Sequence, residues 1–184
     1  ILVVPHYEAR DLTQQVITDE SLRAVGAIPS TPIVSIHLWF EEDFMKLEFV
    51  GLIDRRVQWV FNKRKIAQER GTGGHVSCVI SGAEEFVSFS NEQLVQLALE
   101  DLRTLYRRAS KPTHAIVIRE KRATFSCTPD AERVRPPQQT SIPNLFLAGD
   151  WTNTGLPATI EGAILSGERC AHLAAACVRT QYAG

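Results

Sequence analysis

Asn144-Leu145-Phe146-Leu147-Ala148-Gly149-Asp150-Trp151-Thr152-Asn153-Thr154-Gly155-Leu156-Pro157-Ala158-Thr159-Ile160-Glu161-Gly162-Ala163 is the most informative stretch of this 184-residue chain. Residues 145–148 are a short, continuous apolar run, the pattern of a strand covered on both faces. Gly149 lets a ligand approach the backbone closely, and Asp150, just past the strand, can accept hydrogen bonds from sugar-type hydroxyls. From about Thr159 a helix is predicted, with Ile160, Ile164, Gly167, Ala171, Ala174 and Val178 on one face. Strand, loop and helix in that order are the alternation of an α/β nucleotide-binding layer. At the helix start, free backbone N–H groups and the positive dipole end favour an electron-rich oxygen or a developing anion, and Gly162 keeps the first turn slim. Such a place seats a polyhydroxylated, anionic, planar cofactor. Spacing alone is equally well explained by a turn-capping Asp150, with Gly162 and Gly167 serving only close helix packing.

Working outward, Ile1-Leu2-Val3-Val4 is a second wholly apolar run, stopped by Pro5. A chain that opens on a buried-strand pattern is expected to be a piece of a longer protein. A helix is expected over 9–24, and strands over 33–40, 49–53 and 57–66, the last two joined as a hairpin by Asp54-Arg55-Arg56. Residues 68–74 read as a surface loop and 76–81 as a further strand. Ser90 with Gln93 forms a capping box that opens a helix over 91–108, with Leu94, Ala98, Leu102 and Leu105 at helical spacing. A long strand follows over 114–126, and 128–143, with four prolines, reads as an extended crossing segment. The fold class expected is therefore α+β: a mainly antiparallel sheet with helices, plus the closing strand-helix of an α/β, Rossmann-like domain.

Composition excludes several functions. Twenty Lys+Arg against 21 Asp+Glu give a net charge of -1, so no global basic field recruits nucleic acid. Cys78, Cys127, Cys170 and Cys177 form no CxxC pair, and His6, His37, His75, His114 and His172 are scattered without ligand spacing, which argues against a metal site and for a reducing, cytoplasmic setting. His6, after the first apolar run, is the best single histidine candidate. No Gly-x-Ser-x-Gly elbow is present. The apolar run over 160–178 is interrupted by Glu161, Glu168 and Arg169 and is too polar to span a membrane. Arg55, Arg56, Lys63, Arg64 and Lys65, interleaved with Trp59, Val60 and Phe61, leave two readings open: peripheral contact with anionic lipid, or an ordinary hairpin with charged edges.

The string 144–163 resembles the carboxy-terminal flavin-contacting signature of the FAD-dependent amine oxidase, protoporphyrinogen oxidase and phytoene desaturase superfamily. Together with Val117-Ile-Arg-Glu-Lys-Arg-Ala-Thr-Phe125, it is most similar to the squalene-associated FAD-dependent desaturase branch, the hydroxysqualene dehydroxylases. The resemblance implies FAD as cofactor, with Gly149 and Asp150 at its ribityl or pyrophosphate part. Thr159 and Ile160 would offer backbone N–H groups to the flavin N1/C2 side, where negative charge gathers on reduction, and Pro157 and Ala158 would shape the path to the ring. It further implies a substrate-binding domain over 6–140 between a first strand (1–5) and the closing part of an FAD-binding domain (141–184). The substrate would be a long, apolar isoprenoid, hydroxysqualene converted to squalene, with phytoene-type desaturation as the nearest alternative. Catalytic and substrate-contacting residues are not identified. A non-catalytic binding module with a degenerate cofactor site is the alternative from another class. The family's Gly-x-Gly-x-x-Gly fingerprint is absent; the glycine cluster Gly71-Thr72-Gly73-Gly74 lies in a polar loop with no helix pattern after it. The 184-residue chain by itself is thus expected to hold FAD weakly or not at all and to be inactive, which a flavin absorbance spectrum of the purified chain checks.

Overall fold

Branched and aromatic residues at alternating positions give five strands: β1 (Ser30–Phe40), β2 (Phe49–Gly51), β3 (Trp59–Asn62), β4 (Gly74–Ser81) and β5 (His114–Phe125). They form one sheet in the order β2-β3-β4-β1-β5. The computed structural model describes residues 1–13, 25–109 and 111–182, and among these the helices are α1 (His6–Thr13), α2 (Lys63–Ile66), α3 (Asn91–Leu105), α4 (Pro129–Val134) and α5 (Ile160–Tyr182). Pairing of β2 with β3, β3 with β4 and β4 with β1 is antiparallel. β5 also runs antiparallel to β1: Thr113 N–H donates to Trp39 O (2.8 Å) and Ser126 N–H to Pro29 O (2.7 Å), so their opposite ends meet.

Period-two alternation gives this sheet two unlike faces. Val34, Ile36, Leu38, Val60, Val76, Cys78 and Ile80 are buried in one core with Leu94, Leu97, Ala98 and Leu102 of α3. Full burial of a Leu contributes about 1.5–3 kcal/mol, so α3 is held mainly by this face rather than by helix propensity. Its start is the expected capping box, in which Gln93 N–H donates to Ser90 Oγ (3.2 Å) and Ser90 N–H to Gln93 Oε1 (2.8 Å). The opposite face carries Ile33, Ser35, His37 and Trp39 of β1, all half-buried.

The chain divides into two compact units, Ile1–Ser30 with Thr124–Gly184, and Thr31–Ala123. These limits fall inside the 6–140 span expected from sequence. The reason is packing: Ala9 of α1 and Ala131 of α4 share a core with Phe125, Leu147 and Trp151, so both helices belong to the first unit. Other departures are local. The strand expected over 57–66 stops at Asn62, whose side chain accepts from Lys65 N–H (3.1 Å) and so starts α2. The segment 128–143, expected to be extended, contains α4, capped by Thr128 Oγ1 accepting from Ala131 N–H (3.2 Å). α3 ends at Leu105 rather than at residue 108, because Tyr106 is already extended. Of the helix expected over 9–24, residues 14–24 lie outside the described residues.

Asp101 ties α3 to the chain entering β3: its buried Oδ2 accepts from the buried Val57 N–H (3.0 Å), and Oδ1 lies 3.5 Å from Arg56 Nη2. Asp101→Ala strands that N–H without an acceptor and is expected to lower the unfolding free energy by about 1–3 kcal/mol in a urea melt. Arg56→Ala, at a half-exposed side chain, is expected to cost less than about 1 kcal/mol.

Candidate functional site

Where the apolar run over 145–148 predicts a strand, the structure has a shorter feature, with Phe146 and Leu147 each making an isolated bridge. Leu2 pairs with Leu147 in a parallel bridge, with Leu2 N–H donating to Phe146 O (2.7 Å) and Ala148 N–H to Leu2 O (3.0 Å). On its other side Gln139 bridges Phe146 antiparallel, and Leu147 N–H donates to Gln138 O (2.8 Å). The two apolar runs at the ends of the chain are thus partners, as members of a parallel layer must be.

This bridged segment ends at Gly149, whose φ of +152° is one that side chains rarely adopt. A Cβ there would also lie 2.5 Å from Trp151 Nε1. The Trp151 indole is fixed in turn, buried and donating to Val4 O (2.8 Å). Gly149 N–H donates to Ser166 Oγ of α5 (3.1 Å), and Gly149 O accepts from both the N–H and the hydroxyl of Thr152 (3.1 and 2.9 Å). The loop therefore folds back onto the helix that follows it.

The loop is held from within by Arg135, whose side chain is 1% exposed. Its Nε and Nη2 donate to Thr152 O (3.1 and 2.5 Å), Nη2 also reaches Asp150 O (3.0 Å) and Thr154 Oγ1 (3.3 Å), and Nη1 meets Glu132 Oε2 (2.8 Å). The guanidinium carbon sits 5.1 Å from the centre of the Phe125 ring. Gln138 adds Nε2 donation to Thr152 Oγ1 (3.0 Å) and Asn153 O (3.3 Å). Neither Arg135 nor Gln138 stands out in the sequence, where both fall in a proline-rich stretch without periodicity.

This inner scaffold leaves the outer side of the loop open. Thr159 caps α5: its Oγ1 accepts from Gly162 N–H (3.1 Å) and its carbonyl from Ala163 N–H (3.1 Å). Gly162 is tight there, since a Cβ would stand 3.0 Å from Pro157 O, whereas at Gly167 a Cβ would meet nothing within 4 Å. Close packing explains the first glycine and not the second. Ile160 at the helix tip is 83% exposed, Pro157 and Thr159 are exposed, and Ala158 is half-buried against the unit's core. Asp150 offers only its carbonyl to Arg135; its carboxylate takes no hydrogen bond among the described residues. The expected helix face needs correction: the buried line of α5 runs through Gly162, Ser166 and Cys170, while Ile160, Ile164 and Val178 are exposed. Ser166 is buried because its hydroxyl meets Gly149 and Thr152, which hydropathy cannot register.

Of the other candidates, His6 is buried and bonded to Ser30 Oγ (3.2 Å), as a core hydrogen-bonding residue is. Burial, with Asp101 adding to it, pushes the Cys78 thiol up to about 12, so it is no nucleophile at neutral pH. Among the described residues no group of three or more His, Cys, Asp or Glu side chains is placed to hold a metal ion, and no helix is long and apolar enough to cross a membrane. In the basic cluster, Arg56 is paired with Glu100 (2.9 Å), Arg64 donates to the carbonyls of Glu69, Gly71 and Gly73, and Val60 is core. A cleft of about 570 Å³ lies at the other end of α5, beside Leu173 and Cys177, and holds none of residues 149–160.

Within the second unit, the sheet face opposite α3 is aromatic and open. Phe49 lies opposite Phe61 and Gly51 opposite Trp59, and the rings of Phe49, Trp59 and Phe61 stand 6.2–6.4 Å apart. Phe49 is 55% exposed, and Ile116 and Ile118 of β5 are exposed as well. Such a surface suits an extended apolar ligand.

Residues 1–175 match the model of the flavin containing amine oxidoreductases. Over 174 residues, 95% of the chain and 38% of the relative, 31% are identical to the hydroxysqualene dehydroxylase of Zymomonas mobilis. The enzyme of that name from Rhodopseudomonas palustris is 32% identical over 97% of the chain and 39% of its own length. The 15-cis-phytoene desaturase of Narcissus pseudonarcissus is 27% identical over 76% of the chain and 26% of that protein. Among solved structures, a putative protoporphyrinogen oxidase from Exiguobacterium sp. 255-15 superimposes with a TM-score of 0.67 at 14% identity, over 97% of this chain and 40% of that one, which shows a shared fold. The chain spans about two fifths of the length of the hydroxysqualene dehydroxylases it matches.

Arg135→Ala is expected to cost about 3 kcal/mol or more, because the carbonyls of Asp150 and Thr152 lose buried donors; Arg135→Lys recovers only part, lacking the planar fork. Gly149→Ala is expected to cost about 2 kcal/mol or more through the positive φ and the Trp151 overlap. Chemical melts followed by far-ultraviolet circular dichroism measure both.

Proposed function

Because the chain belongs to the flavin-containing amine oxidoreductase family, we propose that it supplies the flavin-facing helix tip and the substrate-carrying sheet of an FAD-dependent oxidoreductase acting on a long isoprenoid, hydroxysqualene being converted to squalene. The observation that carries this reading is the match of 31–33% identity along 95–97% of the chain to proteins named hydroxysqualene dehydroxylases. The residues present fit such a cofactor. Thr159 caps one end of the first turn and leaves the tip at Ile160 uncovered, the loop between Gly149 and Ile160 is rigidly backed, and Asp150 keeps a free carboxylate for hydroxyl donors.

In this reading, bound FAD supplies a two-electron carrier that exchanges hydride with carbon. Thr159 and Ile160 direct backbone N–H groups and the positive dipole end to the pyrimidine edge of the ring, stabilising the negative charge of the reduced state. Gly149 and Asp150 meet the ribityl or pyrophosphate portion, and Pro157 and Ala158 border the ring. The aromatic face around Phe49, Trp59 and Phe61 binds the hydrocarbon and excludes water from it. An apolar substrate of this kind partitions into lipid, so the enzyme works in the cytoplasm as a peripheral partner of the membrane, with the exposed Arg55 and Lys65 as the contact. Phytoene-type desaturation is the second reading, supported by the 27% identity to phytoene desaturases.

A polypeptide of the relatives' length that contains this chain, loaded with FAD and reduced, is expected to release squalene from hydroxysqualene, read by mass spectrometry. Conversion of phytoene instead would assign the second reading, and failure of the polypeptide to hold flavin would remove both. Sedimentation with anionic liposomes at low salt tests the membrane contact; no co-sedimentation removes it.

A further inference from the structure

The fold gathers three histidines, scattered in sequence, around Trp39 on the open face of the sheet. His37 Nδ1 and His75 Nε2 are 3.2 Å apart, His75 stacks on Trp39 at 4.2 Å with 15° between the planes, and the His114 ring centre is 5.2 Å from Trp39. Register places them with the aromatic surface. Phe49 is opposite Phe61, Phe61 opposite Ser77, and Ser77 opposite His37, so these four positions form one row across four strands on one face. Three interstrand spacings make that row about 14 Å long, apolar at the β2 edge and polar at β1.

We propose that the His37–His75 pair receives the hydroxyl group of a hydroxylated isoprenoid whose hydrocarbon lies along this face toward Phe61 and Phe49. The assignment rests on the reading of the sheet as the surface for an apolar substrate and adds which of its groups meets the polar end. The shared hydrogen bond uses one nitrogen of each ring. In the neutral pair, whichever imidazole donates, one outer nitrogen is left as an acceptor and the other as an N–H donor. Neither outer nitrogen has a hydrogen-bond partner among the described residues. A hydroxyl both donates and accepts, so it satisfies either. Both rings are biased to the neutral state: burial first, then Lys63, lowers the His37 pKa, and burial, His37 and Lys63 lower that of His75 against a smaller opposing pull from Glu69. Neutral imidazoles offer hydrogen bonds without placing a charge beside hydrocarbon. Two imidazoles next to a lysine are a poor cation site, since a bound cation needs more ligands than this and no adjacent positive charge.

The test uses the 184-residue chain with farnesol and β-farnesene, a short isoprenoid alcohol and its hydrocarbon counterpart, offered from dilute mixed micelles. Binding is followed by tryptophan fluorescence and by the imidazole ¹⁵N shifts of His37 and His75. The expected result is farnesol bound roughly five-fold more tightly than farnesene, the effect of one hydrogen bond, with imidazole shifts moved by the alcohol alone. In the H37F/H75F double variant the farnesol-to-farnesene ratio is expected to fall to about one. Equal affinities in the wild type would overturn the proposal and leave the apolar surface standing. Binding of neither ligand would overturn both together. An alcohol preference that survives in the double variant would place the hydroxyl elsewhere and overturn the assignment. If the double variant does not fold, the wild-type shifts decide: alcohol-specific movement supports the pair and its absence overturns it.

Discussion

A guanidinium whose side chain is 1% exposed would be a liability were its three nitrogens not each paired. At Arg135 the fork meets the carbonyls of Asp150 and Thr152, the Thr154 hydroxyl and the Glu132 carboxylate. A planar, permanently charged group with donors in two directions is what joins consecutive carbonyls of a loop that has no ladder of its own. That loop carries the chain from the bridged segment 145–148 to α5, so the direction in which the helix tip emerges depends on it. The Gly149 backbone, held at a conformation other residues avoid, is tolerated because Trp151, Thr152 and Ser166 over-determine its surroundings.

The two compact units divide the chemistry of the chain. The first has a polar loop held on its inner side by Arg135 and Gln138, while the Asp150 carboxylate takes no hydrogen bond among the described residues. The second has a sheet with one face sealed by α3 and the other lined by rings. Period two in the strands produces that contrast directly: each residue sent to the core at Val34, Ile36 and Leu38 sends its neighbour at Ser35, His37 and Trp39 to the open side. The chain as a whole belongs to the flavin-containing amine oxidoreductases, whose family model spans both units.

Much of this was legible along the chain. The capping box at Ser90, the apolar runs at 1–4 and 145–148 and the α5 start after Thr159 are local patterns, decided by residues a few positions apart. The misreadings share a cause. α2 arises because the Asn62 side chain is also held by Asp43 and Met45, far back in sequence. The buried line of α5 was misjudged because Ser166 is inside for its hydrogen bonds rather than for its hydropathy.

The amino-acid sequence by itself determined the capping box of α3, the two apolar runs at 1–4 and 145–148, the start of α5 and the string shared with the flavin-containing amine oxidoreductases, because each is encoded in short-range spacing. Tertiary structure alone decided that Arg135 would clamp the loop, that α1 and α4 would join the first unit, and that His37 and His75 would share a hydrogen bond across 38 residues. Those outcomes depend on register and close packing between distant segments, where the energy of a contact appears only once both partners have been brought together.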